Sequence, residues 1–423
     1  MKKKRNKRPT PTKGKISTLA QLCNFIPGHL VPKLSREYGI DAKARTFTVW
    51  SQVVAMVYAQ LVHAISLNDV CDGLRHHARL LGRIRGAVAP SRNAFSHANR
   101  QRDAMFAEAL FWRTFEHLQK LQPGFGYGKG GGLARRFRRA IHVVDSTTIQ
   151  LIANCMDWAR HRRRKAAAKC HMRLDLQSLL PKFAIVDTAK DSDSKRAYEV
   201  CAGVRQGEIV IFDRAYLDLV HLSCLAIRGV WWVTRAKENL QLRVVKRLQR
   251  GRKGRIIRDD LVVFKNKDSK MEYPWRLRRV VALVEVDGRE VEMTFLSNHL
   301  EWAASTIAEL YRCRWQIEVF FKQIKQTLQL CDFLGHNANA VRWQVWMALL
   351  LYVLLRFHAF MSSWPHSFSR LFTLIRGVVW DRFHLLNLLE FYGTAGGKWR
   401  MRAEPHQAYL PGFAPDSMGQ HVA

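Results

Sequence analysis

The stretch YRCRWQIEVFFKQIKQTLQL, residues 311–330, has the apolar spacing of an amphipathic helix. At about 100° per residue, its side chains Tyr311, Arg314, Glu318 and Lys325 fall within one arc of about 60°. An ion pair between Arg314 and Glu318, four residues apart, would be an ordinary surface feature of a helix. That interpretation does not account for the phenol and the second cation on the same stripe. The pattern predicts a helix that presents one carboxylate among cations and a phenol.

The composition around this helix is strongly basic. The 423 residues include 69 Lys and Arg against 34 Asp and Glu, a formal net charge of +35. A charge balance of this size favours a polyanionic partner, most often nucleic acid. Ribosomal and membrane-surface proteins are the alternatives that composition leaves open. The length is enough for two or three domains, and the 48% hydrophobic content is enough to form sizeable cores.

Three features of the sequence bear on location. The basic N-terminus is not followed by a secretory hydrophobic region. The longest apolar run, VWMALLLYVLL at 345–355, is too short to span a bilayer and is interpreted as a buried core helix. The eight cysteines form no Cys-x-x-Cys pair, so we expect reduced thiols and no zinc cluster. Together they predict a cytoplasmic protein without a membrane partner.

Helical and extended segments alternate along the chain in a way that indicates a mixed α/β fold. Residues 16–122 have helical periodicity, and five strands rich in Val, Ile, Phe and Thr are predicted within 140–237. Residues 238–300 show only strand-like segments with no helical period. Helices resume at about residue 301 and continue to about residue 392.

Three acidic residues are candidates for a shared site. Asp145 directly follows the apolar strand IHVV, and Asp213 directly follows EIVIF. Sites on α/β sheets usually form at such strand ends. If these two aspartates meet Glu318 in space, the clustered carboxylates must share protons or bind a cation. Hard oxygen ligands of this kind suit Mg²⁺.

Several other polar residues have less specific interpretations. Asp187, Asp191 and Asp193 lie in a polar segment after the third predicted strand and are interpreted as solvated. His171 and Asp175, near the second predicted strand, are interpreted as structural.

A second candidate for nucleic-acid contact lies near the N-terminus. Ser91 is a plausible N-cap for the helix RNAFSHANRQRDAMFAEALFWRTFEHLQ, which begins at Arg92. Its first turns carry Arg92 and Arg100, and a helix of this kind could lie in a DNA major groove. An ordinary charged surface is the open alternative.

The spacing Tyr311-x2-Arg314-x3-Glu318-x6-Lys325 resembles the signature of the IS-four family of bacterial insertion-sequence transposases. Further motifs occur in the order of that family. VVDSTTIQL contains Asp145, IFDRAYLD contains Asp213, and FLGHNANAVRWQVWMALLLYVLL follows the glutamate. The N-terminal segments resemble the helical domain of one branch of the family, so the resemblance covers about residues 17–360.

The resemblance implies a ribonuclease-H-like catalytic core with a β-rich insertion, preceded by a helical N-terminal domain and followed by C-terminal helices. The predicted organisation is a basic tail (1–15), a helical DNA-binding domain (16–122), a Gly-rich and basic linker (123–139), the catalytic core (140–237 and 301–360), the β-strand insertion (238–300) and a C-terminal helical region and tail (361–423).

The resemblance also implies a catalytic and metal-binding triad of Asp145, Asp213 and Glu318. Two Mg²⁺ ions, with Mn²⁺ as a possible substitute, would support phosphodiester hydrolysis, hairpin formation and strand transfer at the terminal inverted repeats. The implied partners are double-stranded DNA, as transposon ends and as target, and a second copy of the chain in the end complex.

Several DNA contacts are implied in the same way. Arg314 and Lys325 would hold phosphates of the transposon end, and Tyr311 would hydrogen-bond a backbone phosphate near a flipped nucleotide. Trp275 is the candidate for stacking on that base, with a sheet-packing role as the alternative. Arg214, next to Asp213, could contact DNA or pair with a carboxylate of the site.

Three classes of function remain open from the residues. They are a DDE transposase, a metal-dependent nuclease that cuts without strand transfer, and an inactive relative that only binds DNA. The intact Asp-Asp-Glu set argues against the inactive relative. The Tyr-Arg-Lys stripe and the N-terminal helical domain favour transposition.

Overall fold

The computed structural model describes residues 11–41, 44–126, 137, 139–151, 160–162, 165–188, 193–249, 254–286, 288–328 and 333–392. These residues form two compact units. The unit called here the helical unit takes the described residues up to 125, those in 149–168 and those from 321 onward. The sheet unit takes the described residues in 126–148 and in 169–320. Most of the predicted linker lies outside the described residues.

The helical unit is built from ten helices among the residues that the structure describes. Five of them begin after side-chain caps, at Ser17, Thr48, Ser66, Ser91 and Asp103, each of which accepts a hydrogen bond from a backbone N–H of the first turn. The helices are α1 (Thr18–Asn24), α2 (Leu30–Glu37), α3 (Val49–Val62), α4 (Leu67–His76), α5 (Ala78–Gly82), α6 (Arg92–Gln101), α7 (Ala104–Leu121), α13 (Ala338–Met361), α14 (Phe368–Gly377) and α15 (Leu385–Tyr392).

Helix α13 forms the core of the helical unit. Asn337 caps its first turn, and the helix packs against α7, α3 and α6. By length and composition it could span a membrane, but most of its apolar side chains are buried inside the unit, as in the core helix of a globular domain. The prediction of a buried core helix at 345–355 is confirmed, although the helix extends beyond that run at both ends.

Part of the predicted basic tail is ordered against the C-terminal helices of this unit. The backbone N–H of Thr12 donates to the side chain of Asn387 (2.8 Å), and Lys13 forms an isolated bridge with Phe383. Residues 1–10 and 393–423 lie outside the described residues.

The sheet unit is organised around strands that bring two chain-distant segments side by side. Strand β1 (Ile141–Leu151) pairs in parallel with β5 (Ile209–Phe212), and β5 pairs in parallel with β6 (Trp231–Arg235). On the other side of β1 lie β3 (Lys165–Asp175) and then β4 (Leu180–Thr188). The short β2 (Arg160–Arg162) and the first residues of β3, with which it pairs, are assigned to the helical unit.

The predicted insertion continues the same sheet. Strand β10 (Arg289–Ser297) pairs antiparallel with β6, and the order continues through β9 (Leu277–Val286), β8 (Ile256–Phe264) and β7 (Leu242–Gln249). The expectation of a segment without helix was wrong at one place. A short helix α10, Lys267–Glu272, connects β8 to β9 because the polar run KDSKME lacks the alternation of a strand.

Four helices complete the sheet unit in the described part of the chain. They are α8 (Asp193–Val200), α9 (Leu219–Ile227), α11 (Ala304–Cys313) and α12 (Trp315–Lys322). A short 3₁₀ turn, Arg214–Tyr216, follows β5 directly. The core of the unit includes the buried side chains of Val144, Phe212 and Trp232. Val144 directly precedes Asp145, and Phe212 directly precedes Asp213.

Candidate active site

The register of β1 and β5 places Asp145 and Asp213 at neighbouring positions of the sheet. Val144 is the partner of Phe212 in this parallel pair, so the next residue on each strand is an aspartate. Asp145 is held locally, because its Oδ1 accepts a hydrogen bond from the backbone N–H of Ser146 (2.7 Å). The two aspartates therefore lie next to each other in the sheet. Asp213 directly follows β5, as predicted, but the prediction that Asp145 ends its strand was wrong, because the β-branched run after it continues β1 to Leu151.

A guanidinium from the quoted stretch bridges two of the three candidate carboxylates. Arg314 donates from Nη1 to Asp145 Oδ2 (2.6 Å) and from Nη2 to Glu318 Oε1 (2.7 Å). The exposed fractions of the side chains are 12% for Arg314, 15% for Asp145 and 36% for Glu318. The pair of Arg314 and Glu318 is thus part of a partly buried site, rather than the surface ion pair that remained open from sequence.

The phenol of Tyr311 reaches the other aspartate. Its hydroxyl donates to Asp213 Oδ1 over 3.4 Å. The ring is buried, with its centroid 4.8 Å from that of Phe295, and the Arg314 Cζ lies 5.7 Å from the Tyr311 ring centroid. Tyr311, Arg314 and Glu318 therefore converge on Asp145 and Asp213 from a segment about a hundred residues or more away in sequence.

The charges in this cluster do not balance, since three carboxylates share one guanidinium. Burial raises the pKa of Asp145 to about 6, and the neighbouring charges of Asp213 and Glu318 add to that rise. Arg314 and the Ser146 N–H act in the opposite direction but do not cancel it. Burial also raises the pKa of Tyr311 to about 12, so its phenol stays protonated and acts as a donor at neutral pH.

The donor chemistry of the cluster fits a hard divalent cation. All three carboxylates offer oxygen ligands, and their excess negative charge is the condition under which such a cation binds. In this arrangement the Arg314 guanidinium lies between two of them. Among the described residues, no group of three His, Cys, Asp or Glu side chains is spaced for direct metal ligation.

Sequence reasoning missed a polar network that adjoins the two aspartates. Asp193 was expected to be solvated, and that expectation was wrong: its carboxylate accepts hydrogen bonds from Ser146 Oγ (2.7 Å) and pairs with Lys169 Nζ (2.9 Å). His171 is fully buried, and its Nδ1 lies 2.9 Å from the hydroxyl of Tyr216. The residues Ser146 and Tyr216 follow the two aspartates as part of the DST and DRAY sequences, a signal that was available.

The remaining polar candidates of this region have local roles. Asp187 pairs with Arg196, and Asp175 accepts hydrogen bonds from the N–H and the hydroxyl of Ser178 (2.7 Å each). Asp191 lies outside the described residues.

Two further predicted DNA contacts in the sheet unit, Arg214 and Trp275, contact residues outside the carboxylate cluster. Arg214 is half-exposed and comes within 3.9 Å of the exposed Glu238. Trp275 is 42% exposed, and its ring meets Tyr273 edge to face at a centroid distance of 5.3 Å. Trp275 thus has one packed edge and one accessible surface, so neither of its two predicted roles is removed.

The quoted stretch is not the single regular helix that the sequence predicted. Helix α11 ends at Cys313, α12 starts at Trp315, and residues Gln323–Thr327 form a π-helical turn that contains Lys325. The constant rotation of 100° per residue therefore does not extend to Lys325. That lysine belongs to the helical unit, as do Arg92 and Arg100, which are exposed on α6.

Comparisons with known proteins give a consistent result. Residues 136–354 match the family model described as a transposase DDE domain, and residues 15–84 match a domain of unknown function (DUF4372). The putative transposase y4zB of Sinorhizobium fredii is 30% identical over 76% of this chain and 86% of its own length. The probable transposase for insertion sequence element IS5377 of Geobacillus stearothermophilus is 29% identical over 52% of this chain and 57% of its own length. Transposase InsG for insertion sequence element IS4 of Escherichia coli is 22% identical, over 46% of each chain.

Proposed function

The chain belongs to the DDE transposases of the IS-four family of insertion sequences, and on this premise we propose that it moves its element by a cut-and-paste route. The first step is hydrolysis of a phosphodiester at a transposon end. The freed 3′-hydroxyl then attacks the opposite strand to form a hairpin. After the hairpin opens, strand transfer joins the terminal inverted repeats to target DNA.

The observation that carries this proposal is the convergence of three carboxylates from separate segments. Asp145 from within β1, Asp213 directly after β5 and Glu318 from α12 meet around Arg314 and Tyr311. A purely structural ion pair would need one carboxylate for the guanidinium. The surplus of acidic groups supports a site that binds a further cation.

Asp145, Asp213 and Glu318 would hold Mg²⁺, in two ions by analogy with the family, and Mn²⁺ is a possible substitute. The bound ions would supply Lewis-acid activation of water or a 3′-hydroxyl and would stabilise the leaving oxygen. Within the chain itself, Arg314 would release the two carboxylates and turn to a DNA phosphate, which its guanidinium binds in bidentate fashion. Tyr311 would keep its proton and donate to Asp213 or to a phosphate oxygen.

Further DNA contacts extend the proposal beyond the carboxylates. Lys325 would bind an end phosphate as a point charge, and Arg214 would bind backbone near Asp213. Trp275, with its accessible surface, would stack on a flipped base. Arg92 and Arg100, exposed on α6, would meet DNA from the N-terminal helices.

The proposal includes the organisation around the site. The core at 140–237 and 301–360 would be ribonuclease-H-like, with 238–300 as its β-rich insertion and 16–122 as a helical DNA-binding domain. The partners would be double-stranded transposon ends and target DNA, with a homodimer in the end complex, in the bacterial cytoplasm. The net charge of +35 supports a DNA partner with strongly salt-dependent affinity.

The test is an assay of cleavage and joining on DNA that carries the native flanks of the gene. Wild type with Mg²⁺ should nick the ends, form hairpins and join them to a target plasmid, and Glu318→Gln should do none of these. Cleavage without joining would replace the proposal with a metal-dependent nuclease. Equal cleavage by wild type and Glu318→Gln would refute the assignment of the site.

A further inference from the structure

A buried polar chain connects the residues that directly follow the two candidate aspartates. It starts at Ser146, whose N–H holds Asp145 and whose hydroxyl donates to Asp193 Oδ1 (2.7 Å). Asp193, the first residue of α8, also pairs with Lys169 Nζ at 2.9 Å, and both side chains are about 15% exposed. The negative charge of Asp193 beside Ser146 is therefore neutralised by the Lys169 ammonium.

The other end of this polar network lies in the turn after Asp213. His171 Nδ1 lies 3.4 Å from Asp193 Oδ1 and 2.9 Å from the hydroxyl of Tyr216. Tyr216 is fully buried in the 3₁₀ turn that begins after Asp213, and its backbone N–H donates to the Asp213 carbonyl oxygen (3.0 Å). One continuous set of contacts thus connects Ser146 in β1 to the turn that follows β5.

The composition of this network differs from what packing alone requires. An apolar core would fill the same space without the desolvation cost of a carboxylate, an ammonium and an imidazole. A hydrogen-bonded polar network, by contrast, favours one arrangement of its members. Here the contacts run through His171 Nδ1, while His171 Nε2 is buried without a hydrogen-bond partner among the described residues. The network adjoins both aspartates. Ser146 directly follows Asp145, and Tyr216 lies in the 3₁₀ turn that directly follows Asp213.

We propose that Ser146, Asp193 and Tyr216 are positioning residues that hold Asp145 and Asp213 beside each other at the proposed cation site. This inference rests on the proposed function of the site. Ser146 is the central member, because it contacts Asp145 through its backbone and Asp193 through its side chain. Removal of the Ser146 hydroxyl breaks the hydrogen bond to Asp193, whereas the three proposed metal ligands, Asp145, Asp213 and Glu318, all remain.

The first experiment measures the affinity of the full-length protein for Mn²⁺ alone, by the electron paramagnetic resonance signal of the free ion. Removal of an outer partner of a metal ligand typically weakens metal affinity about 10–100-fold. Ser146→Ala should show a loss in that range, and Asp193→Ala a loss at least as large. Ser146→Thr, which retains a hydroxyl, should restore affinity to within about threefold of wild type.

A matched control separates positioning from general stability. Ser178→Ala removes the same chemical group, a hydroxyl donated to the buried Asp175 at 2.7 Å, at a place outside the network. It should lower the melting temperature by a similar amount and leave Mn²⁺ affinity unchanged. If Asp193→Ala does not fold, Ser146→Ala and Ser146→Thr still decide the question.

The outcomes for this inference and for the proposed function are distinguishable. Glu318→Gln should abolish both Mn²⁺ binding and cleavage, and its failure to do so would overturn the proposed function. If Glu318→Gln loses both but Ser146→Ala binds Mn²⁺ like wild type, only the positioning role is overturned. A loss of affinity in Ser178→Ala equal to that in Ser146→Ala would also overturn it.

Discussion

Two clusters in the sheet unit combine arginine with aspartate, and they differ in how their charges are matched. On β8 and β9, Arg278 donates to both carboxylate oxygens of Asp259, and each side chain is only 8% exposed. Next to it, Arg279 donates to Asp260, its direct partner in the strand register. Each guanidinium in this cluster has one carboxylate.

The cluster of Asp145 in β1, Asp213 after β5 and Glu318 in α12 has one guanidinium, that of Arg314, for three carboxylates. Arg314 bridges Asp145 and Glu318, and the Asp213 carboxylate accepts a hydrogen bond from the phenol of Tyr311. Burial and the neighbouring acids raise the pKa of Asp145 despite its contact with Arg314.

The contrast separates a structural use of charge from a functional one. A matched and buried pair is complete, and removal of one partner strands the other. An unmatched set is held at a cost in stability, which a bound cation would offset. Arginine and aspartate therefore stabilise the fold in the insertion, where Arg278 pairs with Asp259, and form the candidate active site around Arg314.

The largest expected effect is on catalysis. Glu318→Gln should lower the rate of end cleavage at least about 1,000-fold, because a lost metal ligand removes several kcal/mol of transition-state stabilisation. Asp259→Asn, assayed below its melting temperature, should still cleave. Single-turnover cleavage of a labelled transposon end provides the measurement, and a comparable loss in both variants would erase the distinction between the clusters.

The next effect is on stability and its response to metal. Arg278→Met should lower the free energy of unfolding by about 3–5 kcal/mol, since it leaves a buried carboxylate without its partner. Arg314→Met should also be destabilised in EDTA, but millimolar Mg²⁺ should raise its melting temperature more than that of wild type. Urea unfolding with and without Mg²⁺ tests this, and an equal response of the two variants to Mg²⁺ would contradict it.

A pH series sharpens the comparison at Asp145. Its pKa is raised from 3.8 to about 6 in the folded protein, so protonation favours the folded state. That contribution is fully present below about pH 3.8 and is lost as the pH rises through about 6. In EDTA at pH 7.5, Asp145→Asn should therefore be more stable than wild type, by about 1–3 kcal/mol.

The difference between Asp145→Asn and wild type should shrink toward pH 4, where the wild-type carboxyl is also neutral. Asp259→Asn serves as the control and should be less stable than wild type at pH 7.5, because it weakens a matched pair. Thermal melts across pH 4–8 would give both comparisons. If Asp145→Asn were less stable than wild type at pH 7.5, the negative charge of Asp145 would be balanced by its partners, as the charge of Asp259 is by Arg278.

The smallest effect concerns an exposed pair that neither cluster includes. Arg214 and Glu238 are 3.9 Å apart on the surface, a geometry that contributes little to stability. Arg214→Ala should leave the melting temperature unchanged but reduce the salt dependence of DNA binding by about one phosphate contact. The control Glu238→Ala should lower neither the melting temperature nor the salt dependence of DNA binding. If Arg214→Ala has the same salt dependence of DNA binding as wild type, Arg214 does not contact a phosphate.

Local sequence patterns were sufficient to predict most of the strands and helices near the site. Alternating and helical periodicities identified the strand that contains Asp145, the strand that ends before Asp213, and the helices of the N-terminal and C-terminal segments. The spacing of Tyr311, Arg314 and Glu318 identified the family, because fixed intervals of specific residue types are readable without a structure. These features depend on neighbours within a few positions along the chain.

Tertiary structure alone decided which charges meet. Arg314 contacts Asp145 across 169 positions, and Asp193, in a segment that looked solvated, is enclosed by Ser146, Lys169 and His171. The break after α11 and the π-helical turn at Lys325 also escaped a constant helical period. The physical reason is that burial and electrostatic partners are set by the packing of distant segments, and hydrophobic periodicity carries no information about which distant segments will meet.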